Sequence, residues 1–181
     1  MTQWPQVQVD PTWCLLLDGF DPDVERAREV VAAIADGRIG LSGAPLVEHD
    51  TARRWALGNG VYDGEGSESH LLAGPVGFHL PHALHPEGGL RRAVDLQSGV
   101  LTEEARTATG VIRSLRFCSL ARPGLAVARI LDIDEDAGPV LQPSTEGSAG
   151  EGGCVHEAGD DVQWLAAGAS TGGGIVAAAV D

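Results

Sequence analysis

The chain has 181 residues, the length of one domain of ordinary size, and 43% of them are hydrophobic, enough to bury a core and to exclude disorder throughout. Its formal net charge is -14, a balance that points away from nucleic acid and anionic membranes and towards solubility. All 12 basic residues are arginine, so Schiff-base chemistry and a phosphate-loop lysine are excluded.

In chain order, the first thirteen residues lack the basic and apolar regions of a secretion signal, and no apolar run approaches the ~20 residues that span a bilayer. Cys14, Cys118 and Cys154 are odd in number and widely spaced, which suits buried thiols in a reducing cytoplasm better than a disulfide scaffold. A soluble, cytoplasmic protein is expected. Asp21-Pro22 opens a predicted helix over 22–30, with Asp as cap, Pro at the first helical position, and Asp23 and Glu25 complementing the dipole. The following "VVAAIA" continues the helix or switches to strand; so short a run does not decide. Gly37, Gly40 and Gly43, then Gly58, Gly60, Gly64 and Gly66, punctuate short strands and turns.

The second half predicts strands at 91–96, 99–107, 111–120 and 124–133, with "QSG" and "TATG" as turns. In the third of these Ile112, Ser114, Arg116 and Cys118 share one face, and Val111, Arg113, Leu115 and Phe117 the other. "LAVARILDI" reads as a strand buried on both faces. Residues 139–159, rich in Gly, Ser and Glu, read as a loop, and two last strands are predicted at 162–168 and 174–180. The sum is one mainly β domain over 1–181, an antiparallel super-sandwich-like β-sandwich with one short N-terminal helix.

Gly37-x-x-Gly40-x-x-Gly43 lacks the spacing of a dinucleotide fingerprint, so it predicts turns and close backbone approach, and no cofactor is expected. His79, His82 and His85 stand three apart beside Glu87, but Pro81 and Pro86 interrupt the run, so acid/base roles are favoured over a shared metal and no metal is expected. Residues 55–70 mix aromatic, amide and carboxylate groups as sugar sites do; Trp55, Asn59, Tyr62, Asp63 and His70 are the candidate ligand-binding residues, and Glu65 and Glu68 offer paired carboxylates. Arg113, Arg116, Arg122 and Arg129 are expected at the surface or in structural pairs, with Asp95 and Asp132 as nearby carboxylates.

Taken together, Trp13, Gly19-Phe20-Asp21-Pro22 and Asp36-Gly37-x-x-Gly40-x-x-Gly43, then "GVYDGEG" (60–66), "LLAGPVGFHL" (71–80), "AVDLQSGVLTEEART" (93–107) and "RSLRFCSLARPGLAVARI" (113–130), resemble in order the N-terminal β-sandwich of glycoside hydrolase family 65, the maltose, trehalose and kojibiose phosphorylases. The resemblance covers most of 13–147 and implies that fold. It departs at Asp36, where the family pattern has Asn, at Ser42, where it has Arg, and after Pro75, where its aromatic is missing. Phosphorolysis in that family belongs to a separate helical barrel for which this chain has no room, so the parent activity is not expected.

Two functions follow as expectations. The first is a stand-alone, noncatalytic module that binds carbohydrate or another small molecule, or serves assembly as a homodimer or with a separately encoded partner. The alternative is a small recruited enzyme of isomerase, cyclase or dehydratase type, with His79, His82, Tyr62 and Glu68 as acid/base candidates.

Overall fold

The computed structural model describes residues 11–49, 54–63, 70–74, 78–85, 89–108, 110–132, 142–143, 154–158, 162–168 and 174–180. After a 3-10 turn at Pro11–Trp13, the elements are β1 (Cys14–Asp18), α1 (Glu25–Val31), β2 (Ile34–Ala35), β3 (Ile39–Leu41), β4 (Val47–Glu48), β5 (Ala56–Asp63), β6 (His70–Gly74), β7 (Phe78–Ala83) and β8 (Leu90–Asp95). They continue with β9 (Val100–Arg106), β10 (Val111–Cys118), β11 (Ala126–Asp132), β12 (Gln142–Pro143), β13 (Cys154–Ala158), β14 (Val162–Gly168) and β15 (Gly174–Val180).

Strands β8 to β10 pair as an antiparallel meander that buries one face, with burial alternating along β8 and β10. The five-stranded antiparallel sheet runs β1-β8-β9-β10-β11, so the first strand of the chain closes an edge beside β8. On β10 the buried face is Ile112, Ser114, Arg116 and Cys118, one of the two faces the alternation separates. The turn between β8 and β9 is organised by Asp95, whose Oδ1 accepts from the Gln97 amide at 2.9 Å and whose Oδ2 accepts from the Ser98 hydroxyl at 2.6 Å.

The second layer of the sandwich is the sheet β2-β3-β5-β6 together with the set β12-β7-β4, in which β4 and β7 run parallel. Between the layers lie two hydrophobic clusters. One joins Leu15, Leu17, Val94, Leu101 and Cys118 of the five-stranded sheet to Ile34, Leu41 and Ala56; the other joins Leu90, Ala105 and Ile112 to Leu46, Val47 and Leu80. Each fully buried leucine among them contributes about 1.5–3 kcal/mol by leaving water.

Three sequence readings change, and one left open is settled. The helix starts at Glu25, because Asp21 spends its carboxylate on the Asp23 amide at 3.0 Å and its carbonyl on the Val24 amide, closing a separate turn. After Val31 the chain switches to strand at Ile34. β11 is an edge strand, half-buried with Arg129 exposed, and so is not covered on both faces. The region read as a loop holds β12 and β13, since "CVHEA" pairs along β14 from Cys154↔Ala167 to Ala158↔Gln163, a partner that local composition does not reveal.

Candidate functional site

Residues 42–46, "SGAPL", link β3 to β4 through the interior without entering a sheet, and all five are buried. A buried irregular segment must find partners for its backbone polar groups. Charged side chains supply them. The Arg54 guanidinium donates to the carbonyls of Pro45 at 3.0 Å and Val47 at 2.6 Å, Arg92 donates to the carbonyl of Gly43 at 2.6 Å, and Glu103 accepts from the Leu46 amide at 2.9 Å. The Ser42 amide donates to the Trp55 carbonyl, and the Ser42 hydroxyl accepts from the Trp55 amide at 3.2 Å.

The same ions pair with one another. Arg92 pairs with Glu25, both fully buried, and Arg116 pairs with Glu103 at 3.1 Å. Burial pushes the Glu25 carboxyl above the ordinary glutamate value although Arg92 opposes it, and burial lowers Arg116 against the pull of Glu103. Glu25 Oε2, Arg92 Nε and Arg116 Nε are buried without a hydrogen-bond partner. The Cys118 thiol, raised to about 11 by burial and by Asp36, lies 3.6 Å from the Ile34 carbonyl and is unreactive at neutral pH. This interior is a scaffold of balanced charges that holds the 42–46 crossing in place.

The accessible chemistry lies outside it, at the β2–β3 turn. Asp36 Oδ1 accepts from the amides of Arg38 at 2.7 Å and Ile39 at 2.8 Å, and Oδ2 accepts from the Gly124 amide at 2.6 Å. Partial desolvation pushes the Asp36 carboxyl up, but the amides of Ile39, Gly124 and Arg38 outweigh it and hold it below the ordinary aspartate value. Gly37 takes φ +88°, a conformation that favours glycine, and its carbonyl accepts from Asn59 Nδ2 at 3.0 Å. The Asn59 amide donates to the Arg38 carbonyl at 2.7 Å, so Asn59 ties β5 to the turn and keeps its side-chain oxygen for other partners.

Beside this turn is an open groove of about 240 Å³ lined by Gly37, Arg38, Ile39, Gly40, Leu57 and Asn59, with Ala35 behind them. It is open because Gly40 stands opposite Leu57 in the register, and a Cβ on Gly40 would meet only Ala35 Cβ at 3.7 Å and the Ile34 carbonyl at 3.8 Å. Gly43 has the opposite role. A Cβ there would lie 2.4 Å from Ala32 Cβ, and its amide donates to the Glu29 carbonyl at the end of α1.

Of the residues predicted from sequence, Asn59 lines the groove, and half-buried Trp55 stands two residues before Leu57 and four before Asn59, on the same side of β5 by alternation. Tyr62 and Asp63 end β5, where Asp63 pairs with His70 and Tyr62 with Leu71 across the hairpin to β6. His79 and His82 occupy β7 at register positions of opposite parity, His79 opposite Gln142. The side chains of these five fall outside the described residues, as do Glu65, Glu68 and Glu87 entirely. Of the arginines, Arg113 pairs with Glu104 at 2.9 Å and Arg116 with Glu103, while Arg122 and Arg129 are exposed. The register sets Arg113 between Glu104 on β9 and Asp132 on β11, one of the two carboxylates expected near the arginines, while Asp95 organises the β8–β9 turn. Sequence reading missed Glu25, Arg54, Arg92 and Glu103. Among the described residues no three of His, Cys, Asp and Glu converge as metal ligands, and no helix is long and apolar enough to cross a membrane.

No family model and no curated protein matches the chain. Among solved structures its fold is similar to that of a protein assigned as a kojibiose phosphorylase from the human microbiome, with a TM-score of 0.60 and 14% identity. The match takes in 90% of this chain and 24% of that one, so the chain spans about a quarter of that protein's length. At this identity the likeness is one of fold, and it agrees with the sandwich implied by the resemblance of sequence segments.

Proposed function

We propose that this chain is a noncatalytic module, derived from a phosphorylase-type N-terminal sandwich, that binds carbohydrate in the groove beside the β2–β3 turn. One observation carries the reading: Gly40, set opposite Leu57, leaves an apolar floor open between polar walls contributed by Arg38 and Asn59. Sugars present an apolar ring face and a rim of hydroxyls, and a floor of Leu57, Ile39 and Gly40 with a free amide oxygen and a guanidinium at the rim complements both. Trp55 precedes β5, and Tyr62, Asp63 and His70 stand along the same strand pair. The fold likeness to a protein named for a disaccharide, kojibiose, supports the choice of ligand class.

Calorimetric titration with glucose, maltose, kojibiose and trehalose tests the proposal. Wild type gives a saturable heat with at least one of them, and Gly40→Val, which fills the groove from a strand position that accepts a β-branched residue, abolishes it with the melting temperature unchanged. Silence with all four sugars, or equal heats from the variant, removes the reading. Self-association as a homodimer belongs to the same proposal, supported by Val30 and Val31, which α1 leaves 63% and 57% exposed. Light scattering that returns a monomer at high concentration removes that part.

A further inference from the structure

A second cleft, of about 280 Å³, crosses one end of the five-stranded sheet on its outer face, lined by Asp18, Gly19, Gly89, Arg91, Glu104 and Arg106 with Leu90 and Val111. The register places Asp18 opposite Arg91, Arg91 opposite Glu104, Glu104 opposite Arg113 and Arg113 opposite Asp132, so charges alternate across all five strands. Such a ladder ordinarily neutralises itself pair by pair. Here it does not. Glu104 commits Oε2 to Arg113 Nε at 2.9 Å, and among the described residues neither Arg91 nor Arg106 forms an ion pair or a side-chain hydrogen bond. Arg106 stands two residues beyond Glu104 on the same face, diagonal to Arg91, so two uncompensated guanidiniums line one cavity.

The cleft is also shaped for Arg106. The Arg106 amide donates to the Gly89 carbonyl at 2.9 Å, and Gly89 takes φ +113°. A Cβ on Gly89 would sit 2.8 Å from Arg106 Cβ and 3.7 Å from its Nε, so the arginine side chain lies across the space a larger residue would fill. Asp18, exposed and opposite Arg91 in the register, adds an acceptor suited to hydroxyls.

We propose that this cleft binds the oxyanion of a small hydroxylated molecule, a phosphate ester or a sugar acid, with the Arg91 and Arg106 guanidiniums on the anion and Asp18 on a hydroxyl. Guanidinium forks match both phosphate and carboxylate. The volume limits the ligand to a monosaccharide-sized molecule. On a chain of net charge -14 the site attracts anions only at short range, so its occupancy depends on direct contacts rather than on the overall field.

Two-dimensional NMR titration of the whole chain with inorganic phosphate, glucuronate and glucose, at constant ionic strength held with chloride, tests the inference. Phosphate or glucuronate shifts the Gly19, Gly89, Arg91 and Arg106 amides saturably and glucose does not; a response to phosphate alone assigns phosphate esters, and one to glucuronate alone assigns sugar acids. Arg91→Gln and Arg106→Gln each weaken binding by about tenfold or more, the loss of one charge-assisted hydrogen bond, with the rest of the spectrum intact. Gly40→Val leaves this binding unchanged, which separates it from the sugar groove. Absence of saturable shifts with both anions, or wild-type affinity in both arginine variants, overturns it.

Discussion

Replacing Arg92 with methionine keeps the apolar stem and removes the guanidinium at the centre of the buried charge network. Two groups then lose their partner: the Glu25 carboxylate, whose Oε2 is already unpaired, and the Gly43 carbonyl. Breaking a buried ion pair from one side costs about 3–5 kcal/mol, and an orphaned buried carbonyl about 1–3 kcal/mol, partly overlapping. Against a total domain stability of about 5–15 kcal/mol, Arg92→Met is expected to remove a large share. Glu25 has an escape, which is to take up a proton. Burial already raises its pKa above 4.5 while Arg92 opposes the rise, so removing Arg92 raises it further. A carboxyl whose folded pKa is raised destabilises the fold above that pKa, and the penalty disappears below the unfolded value. The deficit of Arg92→Met is therefore smaller at about pH 5 than at about pH 8. Glu25→Gln combined with Arg92→Met removes both charges and is less destabilised than Arg92→Met alone. Urea unfolding followed by tryptophan fluorescence at the two pH values measures all three effects. A loss below about 1 kcal/mol, or a deficit that grows on acidification, refutes the account of this network.

Gly43→Ala forces a methyl to 2.4 Å from Ala32 Cβ, where the Glu29 carbonyl and Arg92 both hold the backbone, and is expected to cost about 1–3 kcal/mol or more in thermal unfolding, while Gly40→Ala is close to neutral. Asp36→Ala strips the acceptor from the amides of Arg38, Ile39 and Gly124. Because the folded pKa of Asp36 is depressed, its stabilisation is present above the unfolded value of 3.8 and is lost as pH falls through the lower folded value; the difference between wild type and variant in acid unfolding is constant at neutral pH and vanishes in strong acid.

The strands were legible where both faces have distinct environments. On β10 the alternation separated Ile112, Ser114, Arg116 and Cys118 from Val111, Arg113, Leu115 and Phe117 but did not show which set is buried: the more apolar set is half-buried, and the set holding Ser114 and Arg116 faces the interior. The helix shows why the interior was not. Periodicity assigns apolar residues to the core, yet α1 buries Glu25 and Glu29 and exposes Val30 and Val31, because its inward face meets Arg92 and the amide of Gly43 rather than hydrocarbon. Nothing local to "ERAREVV" marks that inversion; it depends on Arg92, 67 residues away. The available signal was "SGAPL", a stretch too irregular for a strand and too apolar for an exposed loop, whose carbonyls need buried donors. Of the groove's lining only Asn59 was singled out by residue type, whereas Gly40 and Leu57 acquire meaning only through their cross-strand pairing.

The absence of lysine has a structural consequence in this network. Arg54 reaches two carbonyls, Pro45 and Val47, and Arg92 a carbonyl and a carboxylate, each from a single planar fork. An ammonium is a compact, strongly hydrated charge without that geometry, so it would leave one acceptor unmet and cost more to desolvate. Arginine thus makes possible a crossing segment that fixes α1 against the five-stranded sheet, and with the interior committed to that task, binding falls to the outer faces. Both proposed sites conform to this division. Each opens at a glycine, Gly40 opposite Leu57 in the register and Gly89 immediately before β8, and each uses arginines that the interior has not engaged. Filling Gly40 therefore separates the sugar groove from the fold, whereas at Gly89, with φ +113° and an added Cβ 2.8 Å from Arg106 Cβ, a side chain strains the backbone, so the second site is separated by the Arg91 and Arg106 variants.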